Sequence, residues 1–408
     1  MELIRFIALI AGVFGQRAKR ACSEIYTRPE IRDLSPKQLA TFINATRVLH
    51  AEHTSFITKQ AGLHLDYSNE AHGAAIFLPW HREFIRRYER ALQGVDPSII
   101  LPYWDWSRDS QSPERSPILS KRYFGGNGQG EEGCVANGPF ADWKLNIPSP
   151  HCLKRDYDSG DQISPFYSPE ALETILEKSQ TYHQFRERIE AAPHARVHAS
   201  LGGNKGDIMT MYSPNDPIFY LHHAFIDLLW DEWQQRHPQL ARTYDGSSGA
   251  SVSIKDNLPP FDIPVRSVLD TTSQCYKYPR YGADLPNTGT LTKLKRRQVN
   301  EGEDSDMKNI VKAALEFSEP VVDFAEVGSG TSLLEGLNLD FSMLQPIAAL
   351  DRTSRNKIRA TRPIPEEYLN RNNIDVPTTR LIELELNTLA AAYNALTDFI
   401  PQAQLIDA

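Results

Sequence analysis

The chain contains no apolar run long enough to cross a membrane and no excess of basic residues. A membrane-spanning helix needs about 20 consecutive apolar residues, and no stretch of the 408 residues reaches that length. Lysine and arginine together number 44 against 52 aspartates and glutamates, which gives a formal charge of −8. Because nucleic-acid binding requires a basic surface, the composition argues against both a membrane-embedded protein and a nucleic-acid-binding one.

Cysteine is also scarce: the sequence has four, Cys22, Cys134, Cys152 and Cys275. None belongs to a CxxC pair, so nothing indicates a thiolate metal site. Cys134 and Cys152 flank a loop rich in glycine and proline and are expected to pair locally, which leaves Cys22 for Cys275. Two such disulfides are typical of an oxidising compartment. Four reduced cysteines remain the alternative.

The first twenty residues have the pattern of a targeting segment. Arg5 precedes a short apolar run over residues 6–15, and a basic stretch ending in Lys19-Arg20 follows it abruptly. A basic start and a short apolar stretch are typical of a secretory signal peptide. We therefore expect residues 1–20 to be a signal peptide with a short propeptide, and the protein to be secreted. A buried N-terminal helix is the alternative. Secretion would also allow glycosylation, for which Asn44, within a predicted helix, is a candidate site.

Histidine, in contrast, is concentrated in two clusters on either side of a tryptophan-rich stretch. The clusters are His64, His72 and His81, and then His194, His198, His222 and His223. Imidazole is a good ligand for copper, zinc and iron. A single helical pair such as His194 and His198 is weak evidence for a metal, because histidines four residues apart are common on helices. Two clusters that can each supply three imidazoles predict a dinuclear metal centre.

Apolar spacing predicts a mainly α-helical protein. Helices are expected over about 35–60, 80–92, 169–192 and 217–235, with a short helix around His194 and His198. On the second of these, His81 shares one stripe with the apolar Ile85 and Tyr88, so it faces the core. Residues 107–168 are rich in glycine, proline and serine and predict long loops. We expect a four-helix bundle with the metal centre inside it.

The composition changes after residue 281. Residues 21–283 are predicted to form one compact domain, and 284–307 an exposed polar linker. Residues 308–408 are predicted to be a C-terminal extension with helical stretches near 308–317 and 380–398. The extension has neither cysteine nor histidine, so the sequence assigns it no chemistry of its own.

The histidine clusters and their flanking residues resemble the tyrosinase and polyphenol oxidase family of type 3 copper proteins, particularly its fungal members. The resemblance lies in Phe77-Leu-Pro-Trp-His-Arg82, Pro102-Tyr-Trp-Asp-Trp106 and Asn215-Asp-Pro-Ile-Phe-Tyr-Leu-His-His-Ala-Phe-Ile-Asp227. It covers about residues 22–281. It implies a dicopper catalytic domain over 21–283, two copper ions as cofactors and O2 as co-substrate.

The resemblance also implies which histidines bind each copper. The ligands would be His64, His72 and His81 for the first copper, and His194, His198 and His223 for the second. His50 and His53 are rival candidates for the place of His64. The neighbouring His222 points elsewhere on its helix and is expected to support the site by hydrogen bonding or packing. Glu70 stands where some fungal relatives have a cysteine bonded to the middle ligand, so that thioether cannot form here.

Several supporting residues follow from the same resemblance. Arg82 and Asp227 are expected to pair beneath the bundle, with two independent surface charges as the alternative. Phe219, four residues before His223, would pack against that ligand ring. The segment Tyr276-Lys-Tyr278 would close the core, and Arg28 is a candidate stacking partner for it.

The implied activity is the oxidation of o-diphenols to o-quinones. Relatives that hydroxylate monophenols well often have an asparagine after the first ligand of the second copper, with a nearby glutamate. Here that position is Ala195, while Glu187 and Glu190 cannot be placed from sequence. We therefore expect a catechol or o-aminophenol oxidase with weak monophenolase activity. Thr210 matches the position that gates the second copper, and a threonine there predicts a roomy entrance.

Other functions use similar residues. A tyrosinase with strong monophenolase activity is the first alternative, and a haemocyanin-like oxygen carrier is an alternative of another class. A dizinc hydrolase is disfavoured because neither cluster includes a bridging carboxylate. The C-terminal extension has two interpretations: a cap that a processing protease removes by cutting at Lys295-Arg-Arg297, which we favour, or a permanent helical appendage.

Overall fold

The structure is a computed structural model, and it describes residues 22, 24–51, 55–141, 143–246, 251–281, 357–394, 401 and 403. The predicted signal peptide, the linker 284–307 with Lys295–Arg297, and the helix near 308–317 lie outside these residues. His53 also lies outside them. Among the residues that are described, no helix has the length and apolar character that crossing a membrane requires.

Helices make up most of the described fold, and the strands are very short. The α-helices are α1 (Pro36–Ala51), α2 (Phe56–Asp66), α3 (Ser68–Ala71), α4 (Phe77–Val95), α5 (Pro169–Lys178), α6 (Tyr182–Ile189), α7 (Ala195–Gly202), α8 (Ile218–Arg236), α9 (Glu366–Arg371) and α10 (Val376–Asn394). The strands are β1 (Tyr26–Thr27), β2 (Gly128–Gln129), β3 (Cys134–Val135), β4 (Lys144–Leu145), β5 (His151–Cys152), β6 (Asn257–Leu258), β7 (Ile263–Pro264) and β8 (Tyr276–Lys277). Short 3-10 helices span Ile31–Asp33, Pro113–Arg115, Pro117–Leu119, Asp207–Met209, Ser213–Asn215, Val265–Ser267 and Thr272–Gln274.

The long helices α4 and α8 pack against each other at the centre of the molecule. On α4, Phe84, Ile85 and Tyr88 are fully buried while Arg87 and Arg90 face solvent, which is the apolar stripe of a core-facing helix. On α8, every residue from 218 to 234 is buried. A helix that is covered all round lies inside a bundle, so the predicted helical bundle is confirmed.

Two predicted helices are each broken in the structure. The expected helix over 35–60 is α1 followed by α2, because the Ser55 hydroxyl accepts the Thr58 N–H at 3.0 Å and caps a new helix. The expected helix over 169–192 is α5 followed by α6, whose N-cap is Thr181. Both breaks coincide with hydroxyl side chains that favour helix starts. The prediction from apolar spacing did not take this local signal into account.

The short helix predicted around His194 and His198 is α7, which carries His198 but begins after His194. Pro193, just before His194, does not open this helix. It lies inside a π-helical turn, Glu190–His194, that joins α6 directly to α7. Such turns widen a helix locally and are frequent at functional sites. The turn brings His194 and His198 to the same buried face.

The long loops over 107–168 are held by paired strands and a disulfide. β2 pairs with β3 and β4 with β5, and Cys134 is bonded to Cys152 with Cα atoms 5.6 Å apart. The second disulfide joins Cys22 to Cys275, next to the parallel pair β1–β8. Both pairs are the ones favoured from sequence. The long bridge ties the first described residues to a point 253 residues later.

The described part of the C-terminal extension belongs to the main core. Ile364, Tyr368, Leu369 and Ile382 are buried within the same hydrophobic cluster as the bundle helices. The buried Glu385 on α10 forms ion pairs with two core residues, at 3.2 Å to Lys178 and 2.8 Å to Arg188. Residues 357–394 are therefore packed as part of the helical core, and α9 was not foreseen from sequence.

Candidate metal centre

Two groups of buried histidines meet between the central helices. In each group, the ring nitrogens that could bind a metal lie within 4.8 Å of one another. We call them the first half-site, His64, His72 and His81, and the second half-site, His194, His198, His222 and His223. They are supplied by α2, the end of α3, α4, the π-turn, α7 and α8. Neither group includes a carboxylate among the described residues.

The half-sites face each other across stacked aromatic rings. The rings of His81 and His223 are nearly parallel, at 8°, with centroids 4.3 Å apart. Phe77 lies between the two groups, with its ring 4.8 Å from that of His81 and 4.9 Å from that of His194. The structure therefore brings the predicted ligands into one dinuclear constellation rather than two separate sites.

Backbone carbonyls orient five of these imidazoles. The Nδ1 atoms lie 2.5–3.3 Å from carbonyl oxygens in the pairs His64–Met211, His72–Ser68, His81–Phe77, His194–Glu190 and His198–Ile208. A carbonyl can only accept, so each Nδ1 carries the hydrogen and each Nε2 keeps its lone pair. A ligand histidine commonly donates its other N–H in this way, which fixes the ring for the metal.

The free lone pairs point at one another. His64 Nε2 and His81 Nε2 are 3.4 Å apart, and both lack a hydrogen because the opposite nitrogen of each ring carries it. In the described structure, His194 Nε2, His198 Nε2 and both nitrogens of His223 have no hydrogen-bond partner, and neither does His222 Nε2. Buried nitrogens are rarely left unpaired. A cation between them would satisfy them, so the donor set fits a bound metal.

Burial also keeps these rings in the form that binds metals. It lowers the pKa of His72 and of His198 to about 4, because charging a ring inside the protein loses its hydration. Burial and the neighbouring imidazoles together lower the pKa of His64, His81 and His223 well below the ordinary value. The imidazoles are therefore neutral, and neutral imidazole is the ligand of copper, zinc and iron.

His222 differs from its neighbours in its hydrogen bond. Its Nδ1 accepts the indole N–H of Trp106 at 3.1 Å, so it has the supporting hydrogen bond expected from sequence. The adjacent His223 packs against Phe219, with ring centroids 4.2 Å apart, as expected. The rival His50 stacks on Trp143 and belongs to neither group, so His64 is the histidine that joins His72 and His81.

Charged residues beneath the bundle lock α4 to α8. Arg82 pairs with Asp227 as expected, and its guanidinium also lies 3.7 Å from the ring centre of Trp230. Arg28 stacks over Tyr276 at 3.6 Å and forms ion pairs with Asp227 and with Glu89. The Tyr276 and Tyr278 hydroxyls both donate to Asp227. The network holds the helices that carry His81 and His223.

Sequence reasoning did not place Glu190, which the structure puts between the half-sites. Its Oε1 accepts the Gly73 N–H at 2.7 Å, directly after His72, and its Oε2 accepts from Arg186 at 2.9 Å. Burial raises the pKa of Glu190 to about 7. The spacing of Arg186 and Glu190, four residues apart, was the only sequence signal for this pair. Glu187 instead lies half-buried beside His183.

The C-terminal segment packs against residues of both half-sites. The Tyr368 ring stacks beside His198, with centroids 6.0 Å apart and planes at 29°. The backbone carbonyl of Asn373 occupies the space where a side chain on Gly73 would stand. Thr210 is half-buried and its hydroxyl donates to the Asp207 carbonyl at 2.7 Å, while Arg371 contacts the preceding Met209. Ala195, fully buried, adds no polar group beside His194.

Comparison with known proteins places this centre in a family. Residues 49–236 match the common central domain of tyrosinase. The tyrosinase-like protein phomQ1' of Diaporthe leptostromiformis is 34% identical over 336 residues, covering 68% of this chain and 88% of the relative. A tyrosinase of Streptomyces antibioticus is 37% identical over 221 residues, covering 49% of this chain and 78% of the relative.

The fold agrees with this relationship. A polyphenol oxidase structure from Thermothelomyces thermophila superposes with a TM-score of 0.55 at 23% identity, covering 68% of this chain and 93% of the other. Its likeness shows a shared fold. With the sequence matches and the two histidine groups, it leads to one conclusion: the chain belongs to the tyrosinase family, copper oxidoreductases that hold two copper ions on histidines and use O2 as co-substrate.

Proposed function

We propose that this member of the family is an o-diphenol oxidase, secreted from the cell, with weak activity toward monophenols. It oxidises o-diphenols to o-quinones and accepts o-aminophenols. Each o-diphenol gives up two electrons and two protons, so two substrate molecules reduce one O2 to two molecules of water. When bound, the copper pair supplies this redox chemistry, and the protein supplies orientation and exclusion of water.

The observation that carries the preference for diphenols is that small apolar side chains directly follow the second half-site ligands His194 and His198. Hydroxylation of a monophenol requires a group that takes the phenol proton near the second half-site. Glu190 is fixed by the Gly73 N–H, next to His72 in the first half-site, and by Arg186. Ala195 and Ala199, which follow the ligands His194 and His198, offer no polar side chain. An o-diphenol is already hydroxylated and does not need this step.

The chain's own residues supply the setting for the reaction. The neutral ligands His64, His72, His81, His194, His198 and His223 tolerate both charge states of copper, because they add no charge of their own. Phe77 and Phe219 pack against ligand rings and keep water from the centre. Thr210 is half-buried two residues after Ile208, whose carbonyl orients His198, and we propose that it shapes the approach of substrate.

Copper-loaded protein tested on catechol, o-aminophenol and tyrosine decides this proposal. We expect catechol to be oxidised at least about tenfold faster than tyrosine. The matched variant Ala195→Asn adds an amide that can orient a water and should raise tyrosine hydroxylation while leaving catechol oxidation similar. Rapid hydroxylation of tyrosine by the wild type would contradict the diphenol preference. Reversible O2 binding without catechol oxidation would instead favour an oxygen carrier.

The proposal includes a role for the C-terminal segment as a cap over the metal centre. The position of Tyr368 beside His198 and of Asn373 against Gly73 supports it. Cutting at Lys295–Arg297 would leave residues 357–394 bound through Glu385 and the shared core, so activation needs release as well as cleavage. Tyr368→Ala tests this in the intact chain. We expect higher kcat/KM for catechol, whereas an unchanged value would contradict a capping role for Tyr368.

A further inference from the structure

The second half-site has one histidine more than it needs. His194, His198, His222 and His223 are all buried, and their candidate ligand atoms all lie within 4.8 Å of one another. A catalytic metal site needs a free coordination position for its substrate. A fourth imidazole would occupy that position at the second copper. Something in the structure must therefore keep one of these four rings away from the metal.

The partner of each ring decides which nitrogen can bind. His194 and His198 turn their Nδ1 atoms to the carbonyls of Glu190 and Ile208, which fixes the hydrogen on Nδ1 and frees Nε2. His222 Nδ1 faces an indole N–H instead. An indole can only donate, so this Nδ1 has no hydrogen. Burial lowers the pKa of His222 well below its ordinary value, so the ring is neutral. Its hydrogen is therefore on Nε2, which meets no acceptor in the described structure and has no lone pair to offer a metal.

The indole is held firmly in this position. Trp106 is fully buried, and its ring meets that of Phe225 edge-on at 5.0 Å. Two residues earlier, the backbone N–H of Trp104 donates at 3.2 Å to the carbonyl of Leu221, the residue directly before His222 on α8. The segment that carries Trp106 is thus fastened to the same turn of helix as His222. Neither group can move away without breaking buried contacts.

We propose that Trp106 is a positioning residue that keeps His222 from binding the second copper. By donating to Nδ1, its indole holds the hydrogen of His222 on Nε2 and so limits the second copper to His194, His198 and His223. The inference rests on the dicopper function proposed above. It adds that the open coordination position at the second copper is maintained by a tryptophan that touches neither metal nor substrate.

The direct test replaces Trp106 by phenylalanine in the full-length, copper-loaded chain. Without the indole N–H, His222 can carry its hydrogen on Nδ1 and bind copper through Nε2. X-ray absorption should then count an average of about 3.5 imidazoles per copper, where the wild type has about 3. The rate of O2 uptake should fall about tenfold or more. Trp104→Phe is the matched control, because its indole donates to Asp109 rather than to a histidine.

A double variant separates this effect from lost packing. In Trp106→Phe with His222→Gln, no fourth imidazole is present, so the imidazole count and the O2 uptake rate should return toward wild-type values. If the double variant stays as impaired as Trp106→Phe, the indole acts only through packing and the proposal is wrong. An unchanged imidazole count in Trp106→Phe would overturn it as well.

A single variant keeps the proposal testable even if Trp106→Phe does not fold. His222→Gln should retain two copper ions with three imidazoles each, because His222 is not a ligand. Loss of copper from this variant would overturn the proposed role of Trp106. The proposed dicopper function would still stand, because the wild type would bind both ions. A wild type that binds no copper would overturn the proposed function itself.

Discussion

The two half-sites reach a similar ligand set by different routes. In the first, a backbone carbonyl fixes the Nδ1 of every ligand, His64, His72 and His81. The second draws its ligands from the π-turn, α7 and α8, includes an adjacent pair of histidines and lies beside Tyr368. The first half-site is defined by its helices, whereas the second also depends on residues that exclude a competing ligand and cover the site.

The largest expected effect comes from removing one ligand of each half-site. His81→Ala and His223→Ala each delete a ring from the stacked pair that joins the half-sites. Because two imidazoles cannot hold a copper as three do, catechol oxidation should fall in both variants by more than the roughly 100-fold that loss of a ligand-orienting group costs at most. Copper analysis of each purified variant would show less than two copper ions per chain. A variant with full copper content and activity would remove that histidine from the ligand set.

The next largest effect is expected on stability, when the ion pair between Arg82 and Asp227 is broken. This pair joins the helix that carries His81 to the helix that carries His223. Asp227→Asn leaves the buried Arg82 guanidinium without its carboxylate, on the helix that carries His81. Removing one partner of a buried pair lowers the free energy of unfolding by about 3–5 kcal/mol, which denaturant unfolding would measure. Asp270→Asn is the matched control, because its partner Arg242 is exposed and the change should be below about 1 kcal/mol. Equal effects in the two variants would contradict this account.

Acid should destabilise the metal-free protein through both half-sites. Burial lowers the pKa of His72 and His198 to about 4, below the value of about 6.5 in an unfolded chain. Between these values the unfolded chain binds more protons, so the stability of the folded state falls as the pH drops from about 6.5 to about 4. Tm measured across this range should decline in the metal-free protein.

Copper should shift that decline to lower pH, because the ion competes with protons for the same nitrogens. The comparison needs Tm values for metal-free and copper-loaded samples of one preparation. A metal-free Tm that stays constant over the range would show that the histidines are not buried neutral bases. Identical profiles with and without copper would show that these nitrogens are not the ligands.

A smaller loss of copper affinity is expected when the contact between Glu190 and Gly73, which links the two half-sites, is removed. Glu190→Ala removes the acceptor for the Gly73 N–H and the partner of Arg186, next to His72 in the first half-site. Groups that orient metal ligands contribute about 10–100-fold to metal affinity, so copper affinity should fall within that range. Glu190→Gln keeps an acceptor for Gly73 and should be affected less. Equal losses in the two variants would contradict the orienting role of the Gly73 contact.

Much of the metal centre was predictable because its ligands lie in two short histidine-rich segments of predicted helix. The two histidine clusters predicted all the histidines that the structure brings together, and the pairing of Arg82 with Asp227 followed from their positions beside ligands. The helical bundle followed from apolar spacing on α4 and α8. These features depend on helix periodicity, which a sequence displays directly.

Contacts between distant segments were not predictable in the same way. Trp106 belongs to a motif that carries the family resemblance, but nothing in its sequence neighbourhood indicated that its indole meets His222. Glu190 could not be placed because the π-turn shifts its side chain toward Gly73. The breaks before α2 and α6 depend on the capping residues Ser55 and Thr181, whose weak signals were outweighed by the surrounding apolar pattern.

The copper content of the purified full-length protein tests the central claim most directly. If the buried imidazoles of the two half-sites form one dinuclear centre, metal analysis should find two copper ions per chain. X-ray absorption of the same sample should then show a copper–copper contribution and a coordination shell of imidazole nitrogens. One copper ion per chain, or two ions too far apart to interact, would contradict the account.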